Sequence, residues 1–261
     1  MFLSAGLCGG ADGVFSRTNL VAWCVVPFDG LKRGPGARAE MLKELGLMRC
    51  AYDWRKEHVK EFEQEIQEYK KRGIEYFAFW AGHPEAYRLF KKHGLSPQIW
   101  KTVPSPKAET QSERVKKAAE AMLAVVKDAN GIGSKVGLYN HGGWGGKPEN
   151  LVAVCEYLRK HHGADNVGIV YNFHHAHEEI GQFEKIMKQM KPYLLCVNLN
   201  GMNDNAEPKI LQIGRGKHDE AMIKAILSSG YRGPIGVIGH TQDDVRERLT
   251  QNLNGLERLT R

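Results

Sequence analysis

The apolar residues of this chain fall into short β-branched and aromatic runs, separated by longer stretches in which apolar residues recur three and four positions apart. A short apolar run bounded by turn formers predicts a buried strand, and the three-and-four spacing predicts an amphipathic helix. Strands are predicted at 19–27, 48–54, 74–82, 95–104, 135–141, 167–173, 193–201 and 234–240. Helices are predicted at 37–47, 57–72, 84–93, 109–133, 148–162, 178–190, 218–229 and 242–258. The punctuation agrees with this division. Gly46, Gly73 and Gly94 stand where helices end, and Pro148 opens a helix where its missing N–H costs nothing.

Strict alternation of strand and helix implies a parallel sheet covered by helices. An open doubly wound sheet is the runner-up. Eight βα units within 261 residues favour closure into a single-domain α/β fold, a (β/α)8 TIM barrel. The barrel is expected to span 19–261. Residues 1–18 are apolar and Gly-rich at their start and lack a positive n-region, so a leader or disordered segment is expected there.

An apolar fraction of 42% and a charged fraction of 26% are ordinary for a globular chain. The net charge of +7 resides largely on helix faces interleaved with Glu, as in KEFEQEIQEYKKR (60–72). No basic block interleaved with aromatics occurs, so nucleic acid is not an expected partner. No apolar run reaches the length of a membrane span. The five cysteines are odd in number and form no CxxC pair, which argues against a disulfide framework or a zinc finger. Localisation stays open between cytoplasmic and, if the N-terminus is a signal remnant, periplasmic or secreted. Free cysteines lean towards a reducing compartment.

The chemistry lies at the strand ends. GLYNHGGWGG (137–146), VGIVYNFHHAH (167–177), LLCVNLNGMND (194–204) and GPIGVIGHTQDD (233–244) start apolar and finish in Asn or His. In a parallel barrel such ends converge on one mouth. Asn140, His141, Asn172, His174, His175, His177, Asn198, Asn200 and His240 are therefore expected to share a pocket, with Asp53 from AYDW, Trp80, Lys101 and Trp144 from other ends. Trp faces suit sugar rings and Asn suits hydroxyls. The alternative is that many of these groups cap local backbone, as Asn and His do at turns.

The YNHGG (139–143), NFHHAH (172–177) and GRGKHD (214–219) segments, set on this periodicity from about residue 20 to the end, resemble the sugar phosphate isomerase/epimerase group of xylose-isomerase-like TIM barrels. That resemblance implies proton abstraction beside a sugar carbonyl through an enediolate. It also implies a substrate-contacting arginine at Arg215 and, in metal-dependent members, carboxylates at the ends of the fifth to eighth strands. The chain departs from the carboxylate pattern: the corresponding positions hold Tyr139, Asn172, Asn198 and Ile238–Gly239, with His175 retained. Hard divalent cations need anionic oxygens, so no cofactor is expected. A softer divalent site from His141, His175, His177 and His240 stays open.

The resulting expectation is a carbohydrate-active isomerase or epimerase acting on a small-molecule carbohydrate, in an oligomeric state the sequence leaves open. His141, His175 and Lys101 would be catalytic. Asp53, Trp80, Asn140, Trp144, Asn172, His177, Asn198, Arg215 and His240 would bind substrate. The alternatives are a β-eliminating lyase on keto-sugars or keto-glycosides, and a non-catalytic sugar-binding pseudoenzyme. An AP-endonuclease-like nuclease is disfavoured by the scarcity of acids at the strand tips.

Overall fold

The computed structural model describes residues 13–261. Eight parallel strands, β1 (Leu20–Trp23), β2 (Arg49–Tyr52), β3 (Glu75–Trp80), β4 (Gln98–Thr102), β5 (Val136–Tyr139), β6 (Val167–Asn172), β7 (Leu194–Leu199) and β8 (Ile235–Ile238), pair in chain order, and β8 returns to β1 to close the barrel. Between them run α1 (Pro35–Glu44), α2 (Phe62–Arg72), α3 (Pro84–His93), α4 (Gln111–Asn130), α5 (Gly143–Gly146), α6 (Pro148–His162), α7 (Phe183–Met190) and α8 (Asp219–Ser229), with α9 (Val245–Thr260) last. The fold is the expected (β/α)8 TIM barrel.

The boundaries follow local chemistry. Thr110 and Glu113 form a reciprocal capping box that starts α4. Gly73 and Gly94 stop α2 and α3 in the left-handed conformation. Two expected helices begin later as α-helix, because 56–61 and 177–182 are tight 3-10 turns that lead into α2 and α7. The turn α5 was not expected, and Gly145 within it explains itself. A Cβ there would lie 2.2 Å from the Val103 carbonyl, so only glycine lets this segment close on the β4 loop.

Of the expected leader, residues 1–12 lie outside the described residues. Val14 and Phe15 are buried, and Asn19 Nδ2 donates to the carbonyls of Val14 and Gly233 at 2.7 and 2.8 Å. The packed unit therefore begins before residue 19.

The barrel interior holds Val21, Trp23, Ala51, Phe77, Trp100, Tyr139, Val170, Cys196 and Ile238. Large residues are accommodated by small ones opposite. A Cβ on Gly137 would fall 2.5 Å from Val170 and 2.8 Å from Trp100, and one on Gly236 would fall 1.8 Å from Asn198 Oδ1. The four described cysteines, Cys24, Cys50, Cys155 and Cys196, are free thiols. Burial raises the pKa of each, so they act as small apolar groups. No helix among the described residues is long and apolar enough to cross a membrane.

Strand parity decides which residues reach the mouth. Trp100 points into the barrel, so Lys101 beside it takes the opposite face. It registers with Leu138, which packs in the layer between barrel and helices. Lys101 is therefore not delivered to the mouth.

Candidate active site

At the C-terminal rim a cavity of about 240 Å³ opens over the interior aromatic cluster. Its floor is Trp23, Trp80 and Tyr139, with ring centroids 4.9 to 5.9 Å apart. Its walls include Asp53 and Arg55 from the end of β2, Cys24 and Phe28 after β1, and His141, His174, His175 and His240. β1 ends at Trp23, four residues earlier than expected, because Cys24 turns in the left-handed region with φ 55°. That early turn makes Trp23 a floor residue. Asp29, farther along the same loop, binds Arg33 at 2.8 Å.

Among the described residues, Asp53 is the only carboxylate lining this inner lobe. It is 3% exposed. Oδ1 accepts the Val26 N–H at 3.2 Å, and Oδ2 is buried without a partner among the described residues. Burial raises its carboxyl to about 6. A carboxyl tuned this far towards neutrality can take and return a proton near neutral pH.

Tyr139 is the second tuned group. Its hydroxyl oxygen accepts from Trp23 Nε1–H at 3.1 Å and from Asn172 Nδ2–H. With both acceptor positions filled by N–H donors, its own proton has no acceptor among the described residues and is left for a ligand. Burial holds the phenol well above its ordinary pKa, so it stays a donor. In the sequence Tyr139 shows only as the residue standing where an acid is expected.

The histidines form a continuous wall. His141 and His175 rings lie 4.4 Å apart, His175 and His174 4.5 Å, and His174 and His240 5.9 Å. His240 stacks on Phe28 at 3.7 Å. Burial, then neighbouring positive groups, lowers His174 to about 3 and His175 to about 2. Both are neutral at neutral pH, so each can pass a proton without adding charge when one ring nitrogen takes a proton as the other gives one.

The same wall of His141, His174 and His175 bounds a second, outer cavity of about 430 Å³ over the β5 and β6 ends. Lys147, Tyr171, His177, Glu178, Glu179 and Lys209 also line it. Lys147 Nζ binds Glu178 at 2.6 Å and Glu179 at 2.9 Å.

Several expected contacts are structural instead. Asn140 donates to the Asn172 carbonyl at 2.9 Å and accepts the Asn172 N–H at 2.6 Å. Asn172 binds Tyr139 and caps the 173–175 turn through His174 N–H at 3.0 Å. Asn200 ties Gly201, Lys209 and Leu211. Asn198 is wholly buried inside the barrel, and its Nδ2 lacks a partner among the described residues. Asp219 gathers the N–H groups of Met202, Gly214 and Gly216, knotting the β7–α8 loop. Trp144 lies outside both lobes: Arg114 sits 4.8 Å over its ring, and Nε1 donates to Gln111 at 3.0 Å. Arg215 lines a separate cavity of about 240 Å³ with Arg258, Gln212, Gln251 and Asn254. Asn140, Asn172, Trp144 and Arg215 therefore do not line the inner lobe, whereas Asp53, Trp80, His141, His175 and His240 do, and His177 lines the outer one.

The residues at the metal-ligand positions do not fit a hard divalent cation. Tyr139 is a neutral phenol in a hydrogen-bonded knot, Asn172 is spent on Tyr139 and a cap, and Asn198 presents a buried amide. Among the described residues no group of three or more His, Cys, Asp or Glu is arranged to hold a metal ion, the set His141, His175, His177 and His240 included.

The family model of xylose isomerase-like TIM barrels matches residues 46–259. No curated protein matches in sequence. Among solved structures, a 3-keto-D-glucoside 4-epimerase from E. coli in its apo form is similar at 14% identity and TM-score 0.66, covering 92% of this chain and 98% of that one. The IolI protein with a bound zinc atom is similar at 15% identity and TM-score 0.68, covering 93% and 98%. A D-allulose 3-epimerase from Methylomonas sp. in complex with D-allulose is similar at 13% identity and TM-score 0.61, covering 92% and 96%. At these identities the likeness is one of fold.

Proposed function

The chain belongs to the xylose isomerase-like TIM barrel family, and on that premise we propose that it is a sugar isomerase or epimerase that moves a proton on the carbon beside a sugar carbonyl. The observation that carries the reading is the pairing, in one aromatic-floored lobe, of a single carboxylate tuned to about 6 with a phenol whose proton is unclaimed. The Trp23 and Trp80 faces suit a sugar ring. Sugar epimerases among the similar folds lend support, one of them acting on a 3-keto-D-glucoside.

In this reading a keto-sugar lies on the aromatic floor with its carbonyl oxygen accepting from Tyr139. The Asp53 carboxylate takes the proton from the adjacent carbon, and negative charge builds on the oxygen facing Tyr139. The proton returns to the opposite face or the neighbouring carbon through neutral His174 or His175, each giving its N–H proton to carbon as its other ring nitrogen takes the proton that Asp53 releases, so Asp53 ends as the carboxylate. The charge is carried by hydrogen bonding, and no step passes through a metal. Elimination of a substituent two carbons from the carbonyl would begin with the same abstraction.

Incubation with ketohexoses and 3-keto-D-glucosides, followed by NMR, tests the reading. The expected result is conversion of at least one keto-sugar to an epimer, isomer or unsaturated product. Saturable binding across the panel with no product would instead make this a sugar-binding barrel.

A further inference from the structure

We infer that the substrate carries two parts: a keto-sugar ring in the inner lobe and a second polar ring, such as a glycosidic sugar, in the outer lobe. The inference rests on the proposed reading for the inner lobe and adds the substrate class. At about 240 Å³ the inner lobe falls below the range of about 300–1,000 Å³ that holds larger ligands, so it accommodates one ring. The outer lobe, at about 430 Å³, is not separate bulk solvent space, because His141, His174 and His175 line both cavities. A bond between two rings would cross this shared wall.

The outer lobe is furnished for a polyhydroxy group. Its Lys147, Glu178 and Glu179 present a charged donor beside charged acceptors. Lys209 makes no ion pair among the described residues, and its carbonyl is anchored by Asn200 Nδ2 at 3.0 Å. Two lining residues hold polar atoms without a partner among the described residues. Tyr171 is fully buried with an unpartnered hydroxyl, and His177 Nε2 is buried and unpartnered. Buried polar atoms without partners are disfavoured unless a ligand or water completes them, and hydroxyls of a second sugar ring supply both donors and acceptors.

The test compares binding of 3-keto-D-glucose with binding of a 3-keto-D-glucoside bearing a second glucosyl ring, by titration calorimetry, with turnover followed in parallel. The two-ring ligand is expected to bind about tenfold or more tightly, the equivalent of one or two added polar contacts. Tyr171→Phe keeps the ring packing and removes only the unpartnered hydroxyl, so it should fold and should reduce this preference. Lys209→Trp, on the exposed rim, should abolish it by filling the lobe. Equal affinity of the two ligands for the wild type, or a preference untouched by both variants, overturns the inference. Preference without turnover would overturn the proposed reaction and leave the two-ring site standing. Turnover without preference would do the reverse.

Discussion

The indole N–H of Trp23 donates to the hydroxyl oxygen of Tyr139 over 3.1 Å, across the barrel mouth from β1 to β5. Together with the Asn172 amide it occupies the acceptor side of the phenol and leaves the O–H free to point at a ligand. Tyr139→Phe should lower kcat about 10²–10³-fold, the usual cost of losing one oxyanion donor. KM should change little, because the bond strengthens as charge develops. Steady-state kinetics on the keto-sugar identified by the product screen checks this.

Asp53 sets the pH dependence. Burial raises its carboxyl to about 6, and only the ionised form accepts a proton. The acidic limb of kcat/KM should therefore bend near pH 6, with about a tenfold loss per unit below it. An acidic limb that bends near the ordinary carboxylate value, about 3.9, would remove Asp53 from the proton-accepting role.

Acid should also destabilise the fold through the histidine wall. His174 and His175 bind protons less readily when folded, at about 3 and about 2, than in the unfolded chain. Between roughly pH 6.5 and 4 the unfolded state holds the extra protons, so each histidine removes about 1.4 kcal/mol of stability per unit of acidification. Asp53 acts with the opposite sign. Its proton is held more tightly in the folded state, which favours folding as pH falls through about 6. Burial also lowers His58, His177 and His240 and raises Glu65 and Asp219. With five lowered histidines against three raised carboxyls among the described residues, urea midpoints should fall from pH 7 to pH 5, and His175→Gln should flatten the decline.

Asn140 predicts a structural effect. Its amide spans both backbone groups of Asn172, which in turn holds Tyr139 and the 173–175 turn. Asn140→Ala should cost about 1–3 kcal/mol, as expected when buried polar groups lose their partner. His175 makes no hydrogen bond among the described residues, so His175→Ala should hardly move the melting temperature, whereas the loss of its proton relay should abolish turnover. Thermal melts of the two variants separate these roles.

The barrel was legible because strand and helix periods are local properties of the chain, and so was the convergence of Asp53, Trp80 and the histidines at one mouth. The facing of individual side chains was less legible. Lys101 and Trp100 are neighbours with opposite fates, decided by strand parity and register. Trp23 was hidden because the apolar run continues to Pro27 although the strand ends earlier, at a left-handed Cys24. The Asn tips looked like sugar ligands, but three of them, Asn140, Asn172 and Asn200, spend their amides on backbone or on Tyr139. Pairings between strand ends so far apart in sequence emerge only in the folded chain. Trp144 has the right chemistry for a sugar platform, but the α5 turn carries it to the flank of α4, over Arg114.

The central claim is that Asp53 moves a proton beside a sugar carbonyl, and proton exchange reports it directly. The protein is incubated with its keto-sugar in D2O, and deuterium at the carbon next to the carbonyl is followed by NMR, for the wild type and for Asp53→Asn. The account predicts steady incorporation by the wild type and background exchange by Asp53→Asn, with ligand binding retained. Exchange that persists in Asp53→Asn, or a wild type that binds the sugar and exchanges nothing, would contradict it.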